Sequence, residues 1–438
     1  MLLKRSLLTM AFQATQLAAL FVIAVVVTRA TGPHGQGVFT LVVVIAFLAP
    51  LVTGLGLTVA AVYHLGRGIY PAVAIFSTTL TFAIASAALS MLAVTIGYLL
   101  LRHTYFRDVS DAGFGFLLAM ILASHLLSSC AALVLGTGRP IHYAALNAIP
   151  AIVAIVVMAV LWGATLLTVD RALMSWAIGN WIAAAAAVGL ASRVGRIRLG
   201  IHRPALNALL GFGLQSYLAN VASFLNYRLD SLIINALLNV VNLGYYSIAV
   251  AMSEAIWYLA NAVSTVMFPH VSSMDRKQAD RLIASVCRNT LLATFIGCVA
   301  MLLLGRWLVI LIFTDRMLPA VQALWLLLPG TLMLGLGKVA SSYFIGIGKP
   351  IYGAYVAPMN LVLTVGLDLL LIPRYGINGA AVASSIVYTL GSVIALALLR
   401  KESKQGIWEI LVVQPSDFRR YAEAIAGAYG RLAAYRSL

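Results

Sequence analysis

Long apolar runs alternate along this chain with short polar breaks. A helix needs about 20 apolar residues to cross the roughly 30 Å hydrocarbon core of a bilayer. Twelve runs reach that length: 7–28, 38–63, 72–101, 113–135, 143–167, 172–192, 209–235, 243–268, 282–304, 318–345, 350–372 and 377–399. The run at 72–101 exceeds one crossing, which predicts tilt or extension beyond the bilayer. The pattern predicts an all-α integral membrane protein of about twelve transmembrane helices.

The pattern also repeats. Gly136-Thr137-Gly138-Arg139-Pro140-Ile141 returns as Gly346-Ile347-Gly348-Lys349-Pro350-Ile351. More weakly, Gly37-Val38-Phe39-Thr40-Leu41 returns as Gly244-Tyr245-Tyr246-Ser247-Ile248. Both returns stand at nearly one offset, at matching places in a six-helix half. An even number of helices gives the halves the same orientation, related by an axis along the membrane normal, with a central cavity between them as the substrate path. The expected organisation is an N-terminal lobe (1–192), a basic cytoplasmic linker (193–207), a parallel C-terminal lobe (208–399) and a cytoplasmic or interfacial tail (400–438).

Composition agrees with a lipid-embedded chain. Of 438 residues, 62% are hydrophobic and 10% charged, with a mean hydropathy of +0.99. Soluble domains carry about 25% charged residues. A net charge of +16 would point to nucleic acid on a soluble protein, but here it lies in short loops and at the ends, so no nucleic-acid partner is expected. Cys130, Cys287 and Cys298 fall in apolar runs and fit neither a disulfide framework nor a metal spacing.

Charge also sets orientation. With the N-terminus inside, the inner segments hold Lys4, Arg5, Arg67, Arg139, the arginines of the linker, Arg276, Lys277, Arg281, Lys349 and the basic residues of the tail. The outer loops hold fewer, among them Arg29, Arg102 and Arg107. This bias predicts both termini in the cytoplasm and a multi-pass protein of the cytoplasmic (inner) membrane. The first apolar run passes directly into a second, so it reads as a retained helix and not a cleaved signal. In the tail, Ile407, Trp408, Ile410 and Leu411 suit a membrane surface, and Phe418 to Tyr435 mixes aromatics with arginines, the pattern of an interfacial helix.

Three stretches carry a family resemblance. Arg29 to Leu41, Leu243 to Ala249, and Ile372-Pro373-Arg374-Tyr375-Gly376-Ile377-Asn378-Gly379-Ala380-Ala381 resemble segments of oligosaccharide flippases of the polysaccharide-transporter family. The resemblance implies the two-lobed fold shared with multidrug exporters and lipid-linked peptidoglycan precursor flippases. It implies a polyprenyl-pyrophosphate-linked oligosaccharide moved from the inner to the outer leaflet by alternating access during surface polysaccharide or exopolysaccharide synthesis. Lipid-linked oligosaccharide and membrane lipids are then the partners, with a polysaccharide polymerase and glycosyltransferases as further ones. Asp368 stands where the family more often has Asn. By themselves the motifs also serve as helix ends and close-packing positions.

An ionisable side chain in a membrane span is costly and marks a functional hypothesis. The spans place His125, Arg228, Asp230, Glu254, Lys338 and Asp368 in view, with Asp368 set aside as near a helix end. Gln215, Ser216, Asn220, Ser223, Asn226, Tyr227, Asp230 and Ser231 share an arc of roughly 160° on the seventh helix. Such a stripe faces a wet passage, or it glues helices together by hydrogen bonds.

Arg228 and Asp230 are two residues apart and point to different faces, so each needs a further partner. A guanidinium forks two hydrogen bonds to a phosphate, which makes Arg228 a substrate-binding candidate, beside a structural ion pair or snorkelling. Asn220 and Asn226 join it on the stripe. Lys338, nearer the cytoplasm, meets an anionic headgroup or snorkels. Gln13 and Gln16 are the first-lobe counterparts for sugar hydroxyls. Glu254 lies near mid-bilayer with Tyr258, Asn261 and Thr265 on its face. A carboxylate there exchanges a proton or holds a sodium ion, or is simply paired. Glu254, Asp230 and Asn261 are the ion-coupling candidates. His125 is a packing histidine or a proton site. Neither a metal site nor a cofactor is expected, only coupling to a proton or sodium gradient.

Enzyme chemistry has little support. The sequence shows no phosphate-cradling loop and no large external domain. The competing reading is a cation-coupled multidrug exporter of the same fold; a membrane enzyme acting on the same lipids is the third.

Overall fold

The computed structural model describes residues 2–195, 198–349, 351–414 and Asp417. Among them every regular element is helical: α1 (Leu2–Thr53), α2 (Leu57–Arg67), α3 (Ala72–Leu101), α4 (Asp111–Gly136), α5 (Pro140–Gly163), α6 (Val169–Val194), α7 (Arg203–Leu237), α8 (Val240–Ser273), α9 (Arg276–Leu308), a π turn (Val309–Phe313), a 3-10 turn (Asp315–Met317), α10 (Pro319–Gly346), α11 (Ile351–Tyr375), α12 (Ile377–Ser403) and α13 (Ile407–Leu411). Nine described helices are long and apolar enough to cross a membrane, or ten if the arms Arg203–Gln215 and Asn220–Leu237, bent by 56°, form one span. The protein is an all-α, multi-pass membrane protein.

From the third run onward, each expected run finds its own helix. The first two do not. α1 carries the chain past the first run into the second, with its helical path broken at Gly32 (φ 71°, ψ −169°) just before Pro33. The second run is itself cut at 54–56, and α2 restarts beyond the cut. Thr28 Oγ1 donates to Gln36 Oε1 across the Gly32 break at 3.2 Å, which holds the two arms of α1 in register.

The repeated turn is real in the backbone. Gly138 and Gly348, its second glycines, both adopt left-handed conformations, with φ of 79° and 77°. Only glycine enters that region without cost, so both copies stop one helix and start the next.

Two compact units divide the chain. Unit 1 comprises Met1–Ala251, Arg306–Ala323 and Thr364–Ala380; unit 2 comprises Met252–Gly305, Leu324–Leu363 and Ala381–Leu438. Unit 1 therefore gathers segments from both sequence halves. One core within it joins α2 to α7 through Leu57, Ile75, Phe76, Leu80, Leu133, Leu146, Ala187 and Leu209. Elsewhere in unit 1 the weaker repeat meets itself. A Cβ added to Gly37 would lie 1.8 Å from the Val240 carbonyl oxygen, and one added to Gly244 would lie 2.0 Å from that of Pro33. Backbones this close tolerate only glycine, the packing logic of small residues in membranes. Gln36 Nε2 spans the same crossing, donating to Ser247 Oγ at 3.3 Å.

The segment 305–317 is also ordered by a charge. Arg29 Nε donates to the Ile312 carbonyl at 2.7 Å, and Nη2 donates to that of Leu311. A π turn leaves its carbonyls poorly served, and the guanidinium supplies the missing donors.

Unit 2 packs Ile283, Cys287, Leu336, Val339, Tyr343, Leu399 and Ile410 into one core. Its polar end is organised by Glu402, which accepts from Arg276 Nη2 at 3.0 Å, Lys349 Nζ at 2.7 Å and Tyr352 Oη at 2.7 Å. Lys349 thereby gives the second copy of the repeated turn a role in the packing. The tail partly departs from the surface helix expected of it. Trp408 is exposed, but Ile410 is fully buried in the core. Arg288, a charge inside the 282–304 run that the pattern reading passed over, pairs in the interior with Asp417 through Nε and Nη2 at 2.9 Å. Its Nη1 donates to the Glu409 carbonyl at 3.0 Å. The segment from Phe418 to Tyr435 lies outside the described residues.

Two substitutions test these contacts. Gly244→Ala forces the crossing apart and should destabilise the protein by about 1–3 kcal/mol, seen as a lower thermal midpoint in detergent. Gly66→Ala, with nothing within 4 Å, should leave the midpoint unchanged. Asp417→Asn removes the carboxylate from a buried guanidinium and should cost up to about 3–5 kcal/mol by the same measurement.

Candidate functional site

The stripe on α7 changes character along its length. Gln215 and Asn220 are exposed, Ser223, Tyr227 and Arg228 half-buried, and Asn226, Asp230 and Ser231 buried. At its buried end, Thr364 of α11 donates to Asn226 Oδ1 at 2.7 Å. One turn later, Asp230 accepts from Tyr246 Oη of α8 at 2.5 Å and from the Ser231 amide at 2.7 Å. Tyr246 belongs to the repeated motif. Its counterpart in the first copy, Phe39, packs against Trp176 and has no hydroxyl to offer. The Asp–Tyr pair is thus particular to the second copy. Asp230 does find the partner on another helix that its spacing from Arg228 demands, and the Arg228 charge acts on it as well.

Asp368 completes this cluster. It is fully buried on α11, two turns short of the helix end at Tyr375, so it is not the helix-end residue expected. It stands one turn from Thr364, and the charge of Asp230 reaches it. Neither of its oxygens has a hydrogen-bond partner among the described residues. Two carboxylates that sense each other out of water repel unless a proton or a cation lies between them. The signal in sequence was the spacing Asn226–Asp230 on one helix and Thr364–Asp368 on another, each i, i+4.

A second cluster lies in unit 2, on α8 and α10. Ser253 and Thr331 hydroxyls meet at 2.5 Å and fix the register of the two helices. Two turns along α10, the Lys338 ammonium sits 4.0 Å from the centroid of the Trp257 ring, with the Glu254 carboxylate near enough to act on its charge. Tyr258 Oη donates to Glu254 Oε2 at 3.5 Å. Glu254, Trp257, Tyr258, Asn261 and Lys338 are all half-buried. Lys338 and Glu254, taken separately in sequence, belong to one arrangement, and Trp257 went unremarked there.

The remaining candidates are simpler. Gln13 is exposed and Gln16 half-buried on the first arm of α1. His125 is buried and satisfied: its Nδ1 lies 2.8 Å from the Ile121 carbonyl and its Nε2 lies 2.9 Å from Thr53 Oγ1. A carbonyl only accepts, so Nδ1 carries a proton. That pattern fits a packing role. In the loop before α4, Tyr105 donates to the Leu232 carbonyl at 3.3 Å and accepts through its own carbonyl from Asn235 at 3.0 Å. Burial pushes its phenol up to about 12, so it stays a neutral donor at any physiological pH.

A family model described as polysaccharide biosynthesis protein matches residues 26–322, more than half of the sequence. The chain belongs to the polysaccharide biosynthesis protein family. Arg228, Asp230, Glu254 and Asn261 lie within the matched stretch, and Lys338 and Asp368 beyond it. Among curated proteins, the probable low-salt glycan biosynthesis flippase Agl15 of Haloferax volcanii is 23% identical over 244 residues, 53% of this chain and 51% of that protein. The chain spans about half or less of the length of the curated relatives it matches. Among solved structures, the lipid II flippase MurJ in an inward closed conformation is similar with a TM-score of 0.74 at 17% identity, over 93% of this chain and 89% of that one. An inward-facing multidrug resistance transporter of the MATE family follows at 0.69 and 14%, over 89% and 94%. These likenesses give this family member its fold.

The two carboxylates should respond differently to neutralisation. Asp230→Asn weakens charge-assisted bonds from Tyr246 and Ser231 and should cost about 1.5–3 kcal/mol of stability. Asp368→Asn has no such bond to lose and should hold or raise the thermal midpoint in detergent.

Proposed function

We propose that this protein is a flippase that carries a polyprenyl-pyrophosphate-linked oligosaccharide from the inner to the outer leaflet of the cytoplasmic membrane. The observation that carries this reading is the pair of cations on spanning helices, Arg228 on α7 and Lys338 on α10, each with a carboxylate close by. Placing a charge in a span costs about 2.5–3.5 kcal/mol even by the lenient insertion scale. A pyrophosphate headgroup gives that cost a purpose: it needs cations along its path, and carboxylate partners keep those cations tolerable when no substrate is present.

In this reading, residues 1–192 and 208–399 act as two like-oriented lobes that open in turn to either side. Arg228 and Lys338 each offer a cation to the pyrophosphate along its path. Gln13, Gln16, Asn220 and Asn226 offer hydrogen bonds to the sugars. A proton or sodium gradient drives the cycle through carboxylates, Asp230 with Asp368 and Glu254 with Asn261. Glycosyltransferases supply the loaded lipid from the inner face, and a polymerase consumes it at the outer one. Membership of a polysaccharide biosynthesis family supports the substrate class.

Deleting the protein should trap lipid-linked precursor in the inner leaflet and abolish surface polysaccharide. Heightened drug sensitivity with normal surface polysaccharide would favour the multidrug exporter instead. Arg228→Ala should lower transport at least about 10-fold, the loss of one charge-assisted contact, at normal abundance in the membrane. Loss of folded protein would give Arg228 a structural role. For coupling, Asp368→Asn should remove the dependence of transport on the ion gradient in proteoliposomes. The same loss in Glu254→Gln alone would move coupling to α8.

A further inference from the structure

One aromatic ring in the α8–α10 cluster has no part in moving charge. Trp257 lies three residues after Glu254 and four before Asn261, so the three share one face of α8. Its ring is bounded by Tyr258, centroids 4.8 Å apart at 40°, and by the Lys338 ammonium at 4.0 Å. All five side chains are half-buried, so the ring is not sealed inside the core. A face turned only to acyl chains has no use for a carboxylate, an amide and an ammonium together. A pyranose uses all three, and the indole as well. Its axial C–H groups lie against an aromatic ring, and its rim hydroxyls reach an amide and a carboxylate.

The ammonium also belongs to this chemistry. Resting on an indole face is a modest interaction for a cation. A phosphate oxygen, through a charge-assisted hydrogen bond, is a stronger partner. A sugar phosphate therefore offers an exchange: Lys338 moves from the ring to the phosphate, and the uncovered ring receives the sugar attached to that phosphate.

Resting on the flippase reading above, we infer that Trp257 is the stacking residue of a subsite that reads the junction between the first sugar and its phosphate. Lys338 covers the ring when the site is empty and takes the phosphate when it is filled. The subsite demands a sugar directly on the phosphate and is tolerant of which pyranose it is. It separates the loaded carrier lipid from the bare one, which the inner leaflet also contains.

The test measures binding to the full-length protein in lipid nanodiscs. The probes are farnesyl pyrophosphate and the same lipid bearing glucose or N-acetylglucosamine on its terminal phosphate. The wild-type protein should bind both glycosylated probes about 10-fold more tightly than the bare one, the scale of one aromatic contact out of water. Trp257→Leu should abolish that preference without weakening affinity for farnesyl pyrophosphate, and Trp257→Phe should keep part of it. Lys338→Ala should weaken all three probes alike. The proposal is overturned if Trp257→Leu keeps the preference, if it weakens all three probes equally, or if the wild type never prefers the sugar. Wild-type protein that binds none of the probes overturns the flippase reading along with it. A thermal melt of each variant identifies any that fail to fold, and Trp257→Phe then decides by keeping or losing the preference.

Discussion

Removing a charged side chain from water costs several kcal/mol unless a partner comes with it. In this chain that constraint decides where the ionisable groups of the helices lie. Arg288 enters the interior only because Asp417 of the tail meets it there. Lys338 lies over an indole within the field of Glu254. Asp230 has a phenol and an amide as donors. Asp368 stands apart among the carboxylates: it is fully enclosed, lacks a donor among the described residues, and feels another carboxylate. A carboxylate in that state is one that a cation or a proton would complete.

The glycine contacts set the second constraint. Lipid offers helices no hydrophobic drive to associate, so close approach and shape must hold them. At Gly37 and Gly244 the approach is backbone to backbone. Unit 1 gathers both copies of this motif, and the hydroxyl that reaches Asp230 comes from a residue of the second copy. Packing and chemistry therefore share one short motif, which explains how so brief a match can be structural at one end and polar at the other.

Much of the fold could be read from the chain, because lipid imposes a minimum length that runs of apolar residues display directly. Ten of the twelve runs find their own helix for this reason. The first two fail where the signal is conformational: Gly32 breaks a helical path that hydropathy cannot distinguish from a continuous one, and the cut at 54–56 leaves the apolar run intact. The site was partly legible. The stripe on α7 was visible because polar residues at helical spacing stand out against apolar neighbours. Asp368 was discounted because sequence gives depth along a helix only to within its uncertain ends. Trp257 gave no signal, since an aromatic residue in a span is commonplace until a lysine from a distant helix is found resting on it. Arg288 and Asp417 are separated by more than a hundred residues, and nothing local announces such a pair.

The self-meeting motif has a further consequence. When the two copies of a duplicated segment touch, their histories cease to be independent. A methyl group gained on one side has nowhere to go unless the opposite strand of backbone retreats, and that backbone is the other copy. Sequence drift at 37 and 244 is then correlated or forbidden, and the contact acts as a fixed gauge between the two copies of the motif.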